Sequence, residues 1–262
     1  MSEAPVADAP QVDPEALAVR APGLGDRVVD GSPAARKRVF IELTLLWLAT
    51  LLTIRAVVVV QQMGLPDWTL AAVPFLFIYV PVGLCRLRKV DSYAYRLAIP
   101  DFGDRAAWTE AFTLVGTIIA IILVPWLVGY HVYQTTLFHA HPRWRIPHDV
   151  WLLAPYHLFF VALPEEFFYR GYFQTRLNEV FPRKFLLFGT SFGYGLPLAC
   201  LYFAFGHSLV TFQWWHFATF FPGLAFGLLR EKTGSPLAGA LFHAWCNVCV
   251  VLLDTAYGIR PI

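Results

Sequence analysis

Apolar residues form long, nearly unbroken runs along this chain, and polar residues collect between them. A helix needs about 20 residues to cross a bilayer core, and the runs predict seven spans. These lie near 39–61, 68–86, 108–132, 150–173, 185–207, 212–230 and 236–255. The expected fold is all-α, a polytopic helical membrane bundle of seven to eight transmembrane helices. Glycines and Pro197 interrupt the fifth run, which predicts a tilted or bent helix there. Residues 1–35 are rich in Pro, Ala, Gly and Asp and show no apolar periodicity, as expected of a disordered cytosolic tail. A basic n-region followed by an apolar h-region is missing from that stretch, so it does not read as a signal peptide. Residues 36–262 are then one transmembrane domain.

Charge placement orients the spans. With the N-terminus in the cytoplasm, the cytoplasmic segments carry Arg36, Lys37, Arg38, Arg86, Arg88, Lys89, Arg96, Arg105, Arg176, Arg183, Lys184, Arg230 and Lys232. The opposite segments carry only Arg143, Arg145 and Arg260. This asymmetry follows the positive-inside rule and predicts an odd number of spans. Trp68, Trp108, Trp126, Trp151, Trp214 and Trp215 fall near predicted ends, as an interfacial aromatic belt requires. Residues 87–107 are expected to form an interfacial element on the cytoplasmic side.

Composition agrees with an integral membrane protein: 57% of residues are hydrophobic and 15% charged, against about 25% charged in soluble domains. A net charge of +2 gives no reason to expect a nucleic-acid partner. The four cysteines, Cys85, Cys200, Cys246 and Cys249, all lie in or beside apolar runs and are expected to pack there. Cys246 and Cys249 make a lone C-x-x-C without the second pair that a metal ribbon needs.

Ionisable residues inside spans usually face the bundle interior, are paired, and mark function. Here they cluster in three short motifs: Glu165-Glu166-x-x-x-Arg170, Phe203-x-x-x-His207 and His243-x-x-x-Asn247. Each uses the i, i+4 spacing that puts its ends on one helix face. Glu166 and Arg170 can pair, while Glu165, rotated by about 100° from Glu166, points elsewhere. A carboxylate left free in dry surroundings is suited to take a proton from water. Phe203 can pack beside His207 and limit its orientation. His243 and Asn247 can present two hydrogen-bond donors to one point, as a developing oxyanion requires. Together these are the parts for water attack on an amide. The same residues would also serve a non-catalytic membrane scaffold or a small transporter as a buried binding network. No H-E-x-x-H is present, so the zincin pattern is absent. His157, His216 and Arg55 occupy spans without a motif partner and are expected to pack or to snorkel.

"EEFFYRG", "FAFGH" and "HAWCN" resemble the E-E-x-x-x-R, F-x-x-x-H and H-x-x-x-N signatures of the CPBP family of intramembrane proteases, which includes the CAAX prenyl endopeptidases and bacterial Abi proteins. "FGLLREKTGSPLAGALFHAWCN" also resembles the family's approach to its last motif. The likeness covers residues about 160–255. It implies a glutamate-type endopeptidase in which Glu165 activates water with help from His207, and His243 and Asn247 form the oxyanion hole. Glu166, Arg170 and Phe203 would shape the site. The metal-free form is the expectation; were zinc bound, Glu165, His207 and His243 would be its ligands. The implied partners are the lipid bilayer and a membrane-anchored protein or peptide substrate: a prenylated tail, a bacteriocin-like peptide or a C-terminal sorting anchor. The implied location is a prokaryotic inner membrane. One tension remains at this level. Glu165 and His243 fall in the cytoplasmic half of their spans, whereas His207 falls near the external end of its own, roughly 15 Å away along a straight helix.

Overall fold

The computed structural model describes residues 29–259, except 65, 93, 94, 96 and 144. The tail expected over residues 1–35 therefore lies outside the described residues as far as residue 28, and from Pro33 onward the chain is already helical. The described residues form seven helices. α1 (Pro33–Gln62) starts on a Ser32 cap, whose hydroxyl accepts from the Ala35 amide at 3.2 Å, with Pro33 in the first turn. A 3₁₀ turn (Asp67–Ala71) leads into α2 (Ala72–Leu87), and α3 (Arg105–Leu137) follows.

α4 is one continuous helical run in five pieces: Val150–Tyr156 and Leu163–Glu166 in α winding, His157–Ala162 and Phe167–Gln174 in π winding, and Thr175–Asn178 in α winding again. π winding is uncommon and is found mostly at functional sites. Every residue from Phe168 to Val180 is buried, so this half is a core helix surrounded by α2, α5 and α6. Its first half, around Trp151, Tyr156 and Phe160, is exposed on one side and packs against α7 on the other.

The chain then makes an antiparallel hairpin, β1 (Arg183–Leu187) with β2 (Thr190–Gly193), before α5 (Gly195–Thr211). This corrects the fifth span expected at 185–207. A short apolar run such as "FLLFGTSFGY" has no period that separates strand from helix. Phe188 and Gly189 between the strands have φ of 50° and 70°, the two positive values of a type I′ turn. Pro197 sits in the first turn of α5, where no helical hydrogen bond is lost, and is not a break. A 3₁₀ turn (Trp214–Thr219) connects to α6 (Phe220–Thr233), and Gly234 (φ 69°) caps that helix before α7 (Leu237–Ala256).

Among the described residues, four helical stretches are long and apolar enough to cross a membrane: Pro33–Gln62, Trp68–Leu87, Arg105–Leu137 and Leu237–Ala256. α5 is apolar but shorter. The protein is an integral membrane helical bundle, with the hairpin as a minor addition. α5 and α4 form its centre; α1 packs on α5 and α2, and α3 lies outside against α7 and α6.

One end of the bundle is basic and tied together by charge. Arg176 of α4 pairs with Glu42 of α1 at 2.7 Å and with Glu179. Tyr95 donates to Glu179 and accepts from Arg88 at 2.8 Å. Beside it, Glu231 of α6 takes Gln174 at 2.6 Å, Asn178 at 2.8 Å and Arg183 at 2.6 Å. This basic end fixes the ends of α1, α2, α4 and α6 relative to one another.

Candidate active site

The three sequence motifs meet where α4, α5 and α7 pack together. Glu166 and Arg170, both fully buried, pair at 3.1 Å across one turn. Arg170 also donates to the Gly223 carbonyl of α6 at 3.2 Å. Its guanidinium lies 4.2 Å over the Phe203 ring and 5.2 Å from that of Phe226. A buried cation is thus held by a carboxylate, a carbonyl and two aromatic faces.

Glu166 has a second partner. His243 of α7 places Nδ1 3.1 Å from Glu166 Oε1, and the ring is stacked 4.8 Å from Phe226 at 13°. A carboxylate only accepts, so Nδ1 carries a proton and Nε2 points to Glu165, 3.9 Å from Oε2. His207 of α5 repeats the pattern. Its Nδ1 is 3.0 Å from the Phe203 carbonyl, which fixes a proton there, and its Nε2 stands 3.7 Å from the same Glu165 oxygen. Phe203 packs 4.3 Å from the His207 ring and 5.7 Å from that of His243, holding both.

Glu165 Oε2 is buried and accepts no direct hydrogen bond, although two imidazole nitrogens face it. At 3.7 and 3.9 Å both nitrogens lie beyond direct hydrogen-bond reach of that oxygen. Asn247, one turn beyond His243, lines a cavity of about 350 Å³ together with His207, His243, Thr219 and Phe226. Glu165 and His207 also line a second, apolar cavity of about 190 Å³ against α1 and α2. The site therefore has space on both sides of the Glu165–His207 pair.

The distance between His207 and the other motifs expected from the sequence disappears in the structure. α4 runs on to Asn178, so Glu165 lies in mid-helix rather than in a cytoplasmic half. α5 begins only at Gly195, which brings His207 level with it.

Zinc is the metal that Glu165, His207 and His243 would take. Each imidazole has its Nδ1 held by an acceptor, as zinc-bound histidines do. Tetrahedral zinc brings its donor atoms to about 3.4 Å from one another, closer than the pairs seen here. Among the described residues, no group of three or more His, Cys, Asp or Glu is placed to hold a metal ion.

Several contributing residues carry no motif. Gly239 lets α7 approach Glu166: a Cβ there would stand 3.0 Å from Oε2. Gly223 lets α6 approach Arg170, where a Cβ would lie 3.1 Å from Nη2. Phe226 stacks on His243. His216, expected only to pack, hydrogen-bonds the His207 main chain. The glycines lie in the motif-bearing half of the sequence, but nothing in their spacing says which helix approaches.

Comparison with known proteins gives one match. Residues 147–249 match the family model of the type II CAAX prenyl endopeptidase Rce1-like proteins, a segment that contains all three motifs and is consistent with the CPBP/CAAX protease family. This supports an intramembrane peptidase in general terms. No curated protein and no solved structure matches the chain.

Proposed function

We propose that the protein is an intramembrane endopeptidase that hydrolyses a peptide bond of a membrane-anchored protein with a water activated by Glu165. The observation that carries this reading is that two imidazole nitrogens, His207 Nε2 and His243 Nε2, converge on one buried oxygen of Glu165, a residue that lines a cavity, and that this oxygen accepts no direct hydrogen bond. A water held between Glu165, His207 and His243 satisfies it and is aimed at whatever enters the adjoining cavities.

In this mechanism Glu165 removes a proton from the water as its oxygen attacks the scissile carbonyl carbon. The carbonyl oxygen becomes an anion and receives hydrogen bonds from the Asn247 side-chain amide and from His243 Nε2. Donation from Nε2 uses His243 in its imidazolium form, whose second proton is taken from bulk water before the carbonyl binds and is kept through the cycle, beside the Glu166 carboxylate. Glu165 then passes its proton to the leaving amine as the C–N bond breaks, which regenerates the carboxylate. Arg170 holds Glu166 in place. His207 keeps the water on line. No step requires a metal ion or an enzyme-bound intermediate.

Candidate substrates are proteins carrying a C-terminal sorting or anchor segment, which present extended chain to a site inside the membrane. The test compares C-terminal processing of such proteins in cells that carry wild-type or Glu165→Gln protein at matched levels. Processing lost only with Glu165→Gln is the expected result. Intact processing with that variant would remove Glu165 as the base and return the network to a scaffold or transporter role.

A further inference from the structure

We propose that the substrate's apolar segment reaches the site sideways, through the gap between α2 and the first half of α4, from the leaflet away from the basic end. This rests on the peptidase reading above and names the direction and chemistry of what is cut.

α2 packs against the Leu163–Glu166 and Phe167–Gln174 pieces of α4. Towards the far end the two helices part, and a cavity of about 660 Å³ fills the opening. Its walls are Trp68, Ala71 and Phe77 on one side and Tyr156 and Phe160 on the other, with Glu165 at the floor. Glu165 is the only charged group in that lining, so water-soluble chain has little to bind and an apolar segment has much. The volume is that of a ligand site rather than a packing defect.

The mouth faces outward. Trp68 is 75% exposed and Phe160 56% exposed, so both rims present aromatic surface where lipid would lie. α4 on this rim is also π-wound at His157–Ala162. Beyond Glu165 and His207 lies the cavity that holds His243 and Asn247. An extended chain running from the gap into that cavity would pass its amide over Glu165. Towards the basic end α4 is closed instead: every residue from Phe168 to Val180 is buried, and Arg176 ties to Glu42 and Glu179.

The test uses a single-span reporter with a Leu/Val/Phe-rich anchor, reconstituted with the full-length protein in phosphatidylcholine vesicles. In the Glu165→Gln protein, p-benzoylphenylalanine placed at Phe160 is expected to photo-cross-link the reporter. The same probe at Phe75, an exposed position of α2 outside this cavity, is expected to give only lipid adducts. Equal cross-linking at the two positions, or lipid adducts alone at both, overturns the proposal. In the active protein, Ala71→Trp fills the gap and is expected to slow reporter cleavage at least tenfold, whereas Phe75→Trp leaves the rate unchanged. Cleavage by Ala71→Trp at the wild-type rate overturns the entrance but not the peptidase. Cross-linking needs no turnover. A wild-type protein that cuts nothing yet cross-links at Phe160 would therefore count against the peptidase and not against the entrance.

Discussion

α4 carries two clusters of buried charge a few turns apart, built from the same residue types and put to different use. At the basic end, Glu42, Glu179 and Glu231 each accept from two or more arginine, tyrosine or amide donors. Further along the helix, Glu166 is held at Oε1 by Arg170 and His243. Its neighbour Glu165 has no such ties: two imidazole nitrogens face its Oε2 at 3.7 and 3.9 Å, and it lines a cavity. Carboxylates bonded to cations fix helices. A carboxylate that opens on a cavity between two imidazoles has room for a water and its proton. The difference lies in the partners, not in the residue type or the depth of burial.

Breaking each cluster separates the two roles. The largest expected effect is on turnover: Glu165→Gln keeps size and polarity and should lower peptide hydrolysis by about 10²–10⁴-fold, the range of general-base catalysis. Its melting temperature should stay near that of wild type, since no direct hydrogen bond to Oε2 is lost. Arg170→Met leaves Glu166 buried without its cation, which should cost about 3–5 kcal/mol of stability. Cleavage should fall with it, because His243 loses its fixed acceptor.

Arg176→Met sharpens the contrast. It removes charge-assisted bonds to Glu42 and Glu179, each contributing about 1.5–3 kcal/mol in general and less here because Glu42 is partly exposed. Thermal unfolding should occur at lower temperature, while cleavage per folded molecule is unchanged. Loss of cleavage beyond the loss of folded protein would show that the two clusters are one functional unit. Gly239→Ala should have a smaller effect, on the order of 1 kcal/mol, by pressing a methyl group against Glu166 Oε2. Reporter cleavage should fall more than stability does.

The smallest effect concerns pH at the basic end. Burial, and after it the hydrogen bond that Tyr95 donates to Glu179, push the Tyr95 phenol above its ordinary value. The neutral phenol is thus favoured by folding. Its contribution is fully present below the unfolded value of about 10 and is lost as pH rises above that value, through the folded one. Melting temperature should drop between about pH 9 and about pH 11, and less steeply in Tyr95→Phe. Identical slopes would show that another group sets the alkaline limit.

Much of the site was legible in the sequence because its parts are local. The i, i+4 spacing of Glu166 and Arg170 sets their pairing wherever the helix lies, and the one-residue offset of Glu165 turns it away. Phe203 and His207 are likewise one turn apart and in contact. What spans different helices was not legible. The His243–Glu166 bond, the Phe226 stack and the close approaches at Gly223 and Gly239 all depend on which helices become neighbours. The hairpin was missed because a short run of aromatic and aliphatic residues suits strand and helix alike.

By itself the sequence determined that this chain is a helical membrane protein, where its basic residues collect, and which three motifs are the candidates for its chemistry. These follow from residue type and from spacing within one turn, which the backbone geometry of a helix converts directly into position. Only the tertiary structure decided that the motifs converge, that two imidazole nitrogens face Glu165 while Glu166 is tied to Arg170 and His243, and that a gap opens between α2 and α4. Those are properties of how helices cross and where they part. Such properties arise from packing between residues far apart in the chain, for which no local spacing stands in.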